Sequence, residues 1–374
     1  MKDVSTPASS SDQQALPQGI LTHPISSAST NTGFFHKQSA SPSKDARPIV
    51  QGRFLSIQGR RFWIKGVAYG TFRPNENGEP FPSPTVVRDD FLKMREVGIN
   101  TVRLYTPPPD WVADAAISAG LYIIPDICWG PRRCDFDDPA RLKQLYDWTR
   151  EHSRRLSQHP AILLFSIGNE IPPLIVRWYS AERIQAYLHT LNDIVKEEVP
   201  HALTTYVSHP PTEYLTLPFL DILSYNVYLE CEPAMRSYLA RLQSLAHEKP
   251  VLLAEVGVDS RQHGQNAQAT FLDWQIRAAF EKGLCGVTVY GWTDEWSIFN
   301  SDIKGWSFGL TDAERYPKRA LSVVRDLFRG DLYRTRKKPW PDVSVVVCCY
   351  NAAATLDECH RAGDRTYPRR ICAW

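Results

Sequence analysis

Two rhythms of apolar and polar positions alternate along residues 49–329. Short, nearly unbroken apolar runs suit strands buried on both faces, as in a parallel sheet. Between them lie longer stretches whose apolar residues recur at helical spacing. The clearest run is Ala161-Ile-Leu-Leu-Phe-Ser-Ile-Gly-Asn-Glu170, which Pro172 and Pro173 stop from continuing. Pro250-Val-Leu-Leu-Ala-Glu255-Val-Gly257 repeats the design. Each run carries a glutamate to the end of a buried strand.

In chain order, Arg53-Phe-Leu-Ser-Ile, the turn Gln58-Gly59-Arg60 and Arg61 to Tyr69 predict strand, turn and strand, the second strand opening the main sheet. A helix from Thr85 to Val97 follows, with Val87, Phe91, Met94 and Val97 on one face and Gly98 after it. Strands are then expected at Ile99 to Tyr105, Leu121 to Trp129, before Glu170, at Leu203 to His209, Phe219 to Tyr228, before Glu255, and at Leu284 to Trp292. Helices are expected at Pro109 to Ala119, Pro139 to Gln158, Ala181 to Glu198, Pro233 to His247, Asn266 to Lys282 and Pro317 to Phe328, with a short turn between the Leu203 and Phe219 strands. Strands alternating with helices imply right-handed crossovers and a parallel sheet. This number of units predicts an α/β fold, a closed (β/α)8 TIM barrel, rather than an open sheet. No GxGxxG or GxxxxGK[ST] follows a strand, so a dinucleotide or P-loop site has no support.

The flanks read differently. Residues 1–48 are rich in Ser, Thr, Gln, Ala and Pro without an apolar period, and predict a disordered tail. Residues 330–340 form a basic linker, and 341–374 carry one further apolar run.

Composition narrows the function. A net charge of +2 gives no pull toward nucleic acid or acidic membranes. The N-terminus lacks a secretory apolar region, and no run reaches membrane-spanning length. The eight cysteines are scattered, with no CxxC pair or Cys/His zinc spacing. They are expected to be mostly buried thiols of a reducing, cytoplasmic compartment. No metal or cofactor is called for.

In a (β/α)8 barrel the C-terminal strand tips share one mouth. Those tips carry Arg103, Asp126 with Trp129, Asn169 and Glu170, His209, Asn226 and Tyr228, Glu255, and Trp292 with Asp294, Glu295 and Trp296. Polar groups buried without purpose cost stability, so this many converging tips point to a site. Two facing glutamates suit glycosidic cleavage, one carboxyl donating a proton and the other acting as an ion. Plainer readings remain open residue by residue: glutamates merely paired with arginines, Arg103 in a structural ion pair, His209 or Trp292 as core, and Glu295 as a rival carboxylate.

Ser-Ile-Gly-Asn169-Glu170, Ser-Tyr-Asn226-Val-Tyr228, Leu-Ala-Glu255-Val-Gly257 and Tyr-Gly-Trp292 together resemble the catalytic barrel of the clan A retaining β-glycosidases. The family 2 branch (β-galactosidase, β-glucuronidase, β-mannosidase) is nearest, with family 5 close behind. Phe308-Gly-Leu-Thr-Asp312 and Arg315-Tyr-Pro317-Lys318-Arg-Ala-Leu resemble the end of such barrels. The resemblance implies Glu170 as acid/base and Glu255 as nucleophile. It further implies Asn169 on the substrate 2-hydroxyl, Tyr228 bonded to the nucleophile, Trp292 as sugar platform and Arg103 beneath Glu255, with Asn226 and His209 also in the substrate site. The partner it implies is a glycoside, an oligosaccharide or a polysaccharide. Beyond the linker, Pro341-Asp-Val-Ser-Val-Val-Val-Cys-Cys-Tyr350-Asn351 resembles the first strand and turn of glycosyltransferase family 2. Residues 341–374 are therefore expected to be the truncated start of such a domain, fused to a glycoside hydrolase or a glucan-remodelling transglycosylase. A non-catalytic carbohydrate-binding barrel is the third possibility.

Overall fold

A computed structural model describes residues 42–43, 47–128, 136–298, 300–330 and 332. The expected tail, the linker and the glycosyltransferase-like segment lie outside the described residues, apart from those few positions, as does Trp129.

Among the described residues an antiparallel sheet of three strands comes first, β1 (Pro48–Gln51), β2 (Phe54–Ile57) and β3 (Arg60–Phe62). The barrel strands follow: β4 (Ile64–Ala68), β5 (Thr101–Leu104), β6 (Tyr122–Pro125), β7 (Phe165–Asn169), β8 (Thr204–Ser208), β9 (Ile222–Asn226), β10 (Val251–Val256) and β11 (Gly286–Val289). The stretch read as one strand from Arg61 to Tyr69 is two. Its first residues pair antiparallel with β2, and those after Trp63 pair parallel with β5 and β11. One straight strand cannot serve two sheets, so the chain turns between them.

The helices are α1 (Pro84–Glu96), α2 (Asp110–Ala119), α3 (Pro139–Leu156), α4 (Pro173–Tyr179), α5 (Ala181–Glu198), α6 (Glu232–Ala246), α7 (Ser260–His263), α8 (Gln265–Glu281) and α9 (Arg319–Arg329). Local chemistry sets several ends. Gly120 takes the left-handed conformation (φ 72°) that stops α2. Asp138 caps α3 by accepting from the Ala140 and Arg141 amides. Two short helices were not anticipated, α4 and α7. Pro172 and Pro173 do stop the strand, but a proline at the first helical position also starts a helix, since its missing N–H would have had no partner there. Between β8 and β9 the crossover helix is replaced by a 3-10 turn, Pro210–Thr212.

The eight strands run in the order β6-β5-β4-β11-β10-β9-β8-β7, all parallel. The ring closes from β6 to β7 through the bridges Ile123–Ile162 and Asp126–Ser166. Backbone bonds cross this seam from Ile123 to Ala161 (2.7 Å), Leu163 to Ile123 (2.9 Å) and Ile127 to Ser166 (2.9 Å). The expected (β/α)8 barrel is thus the fold.

Alternation along each strand divides the interior into levels. At the N-terminal end, Ile64, Tyr122, Ile124, Leu203, Ile222, Leu252 and Cys285 join Leu55, Ile57 and Phe62 of the small sheet in one buried apolar plug. Gly286 belongs here because a Cβ would meet Ile64 at 2.4 Å, where β11 and β4 approach. A second cluster lies between strands and helices, with Val102 and Leu104 packed among Val87, Phe91, Met94 and Val112. Above the plug a few buried hydroxyls, such as Thr205 bonded to Ser224 at 2.7 Å, precede the charged groups of the C-terminal strand tips.

Candidate active site

Arg103 is the centre of the tips. It sits on β5, wholly buried, inside the barrel. Its Nη1 meets Glu255 Oε1 at 2.6 Å and the Ala254 carbonyl at 3.2 Å, and its Nη2 donates to Asn169 Oδ1 at 2.8 Å. Asp126 Oδ2 lies 3.5 Å from Nη2. Burial opposes the charge on Arg103, but the facing Tyr105, Asp126 and Glu255 together outweigh it and raise its pKa. The guanidinium therefore stays a cation, the condition for burying carboxylates beside it.

Glu255, on β10, is 6% exposed and has both oxygens engaged. Oε1 takes Arg103 and the Tyr105 hydroxyl (2.9 Å), and Oε2 takes the Tyr228 hydroxyl (2.7 Å). Burial first, then the charge of Glu255, push both tyrosine hydroxyls well above their usual pKa, so they remain donors. Tyr228 is 38% exposed overall, so its ring also reaches the open mouth while its hydroxyl is held inside. Tyr105 was not among the expected site residues. It lies two positions after Arg103, on the same side of β5 by strand alternation, and that period could have marked it.

Glu170 ends the β7 run in a different setting. It is half-buried, and its backbone takes φ 45°, a conformation uncommon for a residue with a side chain. Its amide donates to the Val207 carbonyl, and its Oε1 accepts from the Asn226 amide at 2.9 Å. Asn226 Nδ2 also reaches Asn169 Oδ1 at 3.2 Å, and its Oδ1 is 3.5 Å from Arg103 Nη1. Asn226 therefore links the two glutamates: one end touches Glu170, the other the cation that holds Glu255. His209 follows β8, with Nδ1 3.1 Å from Thr212 Oγ1. Burial lowers its pKa, and the charge of Glu170 works against that shift, so imidazole and carboxylate are electrostatic neighbours.

Asp126 belongs to the same floor. It is buried, and its Oδ1 has no hydrogen-bond partner. Burial raises its pKa, with Arg103 opposing.

Trp292 is the correction. The expected sugar platform is 1% exposed, packs in the strand–helix cluster, and donates Nε1 to Asp90 Oδ1 at 2.9 Å. Asp90 also takes Tyr69 (2.9 Å) and Arg315 (3.3 Å), so a buried carboxylate on α1 holds the indole away from the mouth. Glu295, the rival carboxylate, pairs with Arg315 in this same network. The aromatic ring at the β11 tip is Tyr290, in edge contact with Tyr105 (6.4 Å), Tyr228 (6.1 Å) and Phe308 (5.5 Å), with Trp296 tilted over it at 4.8 Å. Strand alternation fades after Val289, so the sequence alone could not say which of Tyr290 and Trp292 faced inward.

Among the described residues no group of His, Cys, Asp and Glu could hold a metal ion, and no helix is long and apolar enough to cross a membrane. A cavity of about 300 Å³ opens at the other end of the barrel, lined by Arg47, His159, Leu163, Val199 and His201 among others. It shares none of the strand-tip groups, so the paired glutamates, not the cavity, mark the site.

Comparison with known proteins bears on the family and the fold. The family described as "Glycosyl hydrolases family 2, TIM barrel domain" matches residues 49–329. Among curated proteins, a 1,3-beta-glucanosyltransferase, GAS4 of Saccharomyces cerevisiae, is 31% identical over 206 residues, covering 47% of this chain and 39% of that protein. The Candida albicans 1,3-beta-glucanosyltransferase PGA4 is 22% identical over 283 residues, covering 69% and 62%. Among solved structures, the GH2 beta-galacturonidase from Eisenbergiella tayi bound to galacturonate superposes with TM-score 0.64 at 20% identity, covering 76% of this chain and 54% of that one. A Bacteroides uniformis beta-glucuronidase gives 0.63 at 20% identity, covering 75% and 36%. The structural likeness speaks for the fold. The chain spans 39% of the yeast protein and 54% of the galacturonidase.

Proposed function

The chain belongs to the glycosyl hydrolases of family 2, whose TIM barrel domain it carries over residues 49–329, and from that premise we propose that it is a retaining β-glycosidase. Glu255 attacks the anomeric carbon to form a covalent glycosyl–enzyme. Glu170 protonates the leaving oxygen, then deprotonates the water that releases the sugar. The observation that carries this reading is the unequal dressing of the two glutamates. Glu255 has an arginine and two tyrosine hydroxyls on its oxygens, which suits an aimed, ionised nucleophile. Glu170 is half-buried beside a neutral amide, which suits a group that gains and loses a proton. Asn169, held by Arg103 and Asn226, is positioned to meet a substrate hydroxyl, and Tyr290 and Tyr228 offer aromatic surface to the ring.

The glucanosyltransferase relatives favour a second reading, in which a sugar hydroxyl replaces water and the product is a new glycosidic bond. One experiment separates the readings. The purified chain is offered aryl β-glycosides of the gluco, galacto, manno and glucurono series, with and without excess acceptor. The first-formed anomer is read by proton NMR. Free β-sugar supports retaining hydrolysis, and acceptor-linked product supports transfer. Free α-sugar overturns retention, and no turnover of any glycoside overturns the glycosidase reading.

Two further proposals rest on sequence. The Tyr350-Asn351 run supports a glycosyltransferase family 2 beginning at 341–374, which the coding DNA beyond codon 374 checks. The scattered cysteines, without CxxC or zinc spacing, support a cytoplasmic setting that cell fractionation checks.

A further inference from the structure

We propose that Leu174 and Trp178 of α4 form a binding strip for sugar units on the leaving-group side of the cleaved bond, so that the substrate is a glycan chain rather than a small glycoside. This rests on Glu170 acting as the acid, as proposed above.

The strip is unusual for the fold that carries it. Trp178 is 80% and Leu174 75% exposed, although large apolar residues are mostly buried. They stand four positions apart on one helix, so they share a face one above the other. The fold does not need them there. α4 is already fixed by buried Val176, by Ile175 and Tyr179 packed on the neighbouring core, and by the Tyr179 hydroxyl on Asp137 at 2.8 Å.

Position identifies the occupant. α4 starts three residues after Glu170, on the β7 crossover at the mouth. The acid that protonates a leaving oxygen stands on that oxygen's side, so whatever follows the cleaved bond leaves past this crossover. α4 also packs against the 3-10 turn Pro210–Thr212, which begins just after His209. Two residues beyond that turn lies Tyr214, 52% exposed. Apolar and aromatic side chains thus stand exposed on two successive crossovers of the same rim. Arg177, exposed on α4 between Leu174 and Trp178, supplies donors for hydroxyls. Pyranose rings have apolar faces edged with hydroxyls, and aromatic surface with nearby donors matches that chemistry.

The test compares the wild-type chain with Trp178→Ala, Leu174→Ser and Trp178→Phe. Each is assayed on an aryl β-glucoside and on short and long β-1,3-linked glucose oligomers. Trp178→Ala should lower kcat/KM for the long oligomer, relative to the aryl glucoside, about tenfold, the scale of one lost ring stack. The loss should lie mainly in KM, grow with oligomer length, and be largely restored in Trp178→Phe. An equal loss on all substrates, or no loss on the oligomers, overturns the strip. A change in oligomeric state by light scattering, with the substrate ratio unmoved, overturns it in favour of a contact between copies. If the wild-type chain turns over none of these glucosides yet cleaves another aryl β-glycoside, the strip as a site for glucose oligomers is overturned while the glycosidase reading stands. If it cleaves no glycoside at all, the glycosidase reading falls as well.

Discussion

The two halves of the mouth are built in opposite styles. Around Glu255 the protein is dry and crowded: Arg103 is wholly buried, two tyrosine hydroxyls converge on one carboxylate, and Tyr290, Phe308 and Trp296 pack behind them. Around Glu170 it is open and sparsely bonded, with one amide donor, a half-buried histidine nearby, and the exposed face of α4 beyond. A cation and fixed donors suit a carboxylate that must be an anion when it attacks, and looser surroundings suit a group that takes up and gives back a proton. The contrast teaches that two carboxylates of one mouth can differ in how many fixed groups each answers to, and the proposed roles rest on that difference.

Three substitutions would break or sharpen this contrast. Glu255→Ala should have the largest effect, lowering turnover on every substrate by a factor on the order of 10⁴ or more while leaving sugar binding largely intact. Unchanged turnover would remove Glu255 as nucleophile. Next, Glu170→Gln should cost on the order of 10²–10⁴ with a poor leaving group, and far less with an activated aryl group that departs unprotonated. Equal losses on both would mean that the open side does not deliver the proton. The smallest effect concerns the floor. Asp126 has a raised pKa in the fold, so the folded chain holds that proton to higher pH than the unfolded chain does. Stability from this group is present at low pH and falls as pH rises above about 4, the unfolded carboxyl range, through the folded value. Asp126→Asn, which cannot ionise, should flatten that part of the melting-temperature profile, and an unaltered profile would place the titration elsewhere.

Much of this was legible in the sequence because barrel geometry turns strand ends into neighbours. Seven expected groups, Arg103, Asn169, Glu170, His209, Asn226, Tyr228 and Glu255, stand at or just past strand ends, which a barrel gathers at one mouth. Register shifts in β7 and β10 mean that simple alternation does not place Glu170 and Glu255 there. Trp292 was misread because it lies beyond the last paired residue of β11, where no period operates, and its place is decided by Asp90 far away in the chain. Tyr105 was visible to alternation and overlooked. Helix α4 was hidden by its prolines, which read as a stop although they also serve as a start. The exposed pair on that helix could be found only from burial, since the sequence shows that Leu174 and Trp178 are apolar and not that they face water.

The seam between β6 and β7 gives Arg103 another duty. Few backbone bonds cross there, yet the guanidinium on β5 reaches past Asp126 at the end of β6 to grip Asn169 on β7. The group that holds Glu255 is thus also a clasp on the ring. A chain that lost it would loosen at the join on which Glu170 stands, so any selection on Glu255 through this cation would also act on the closing of the barrel.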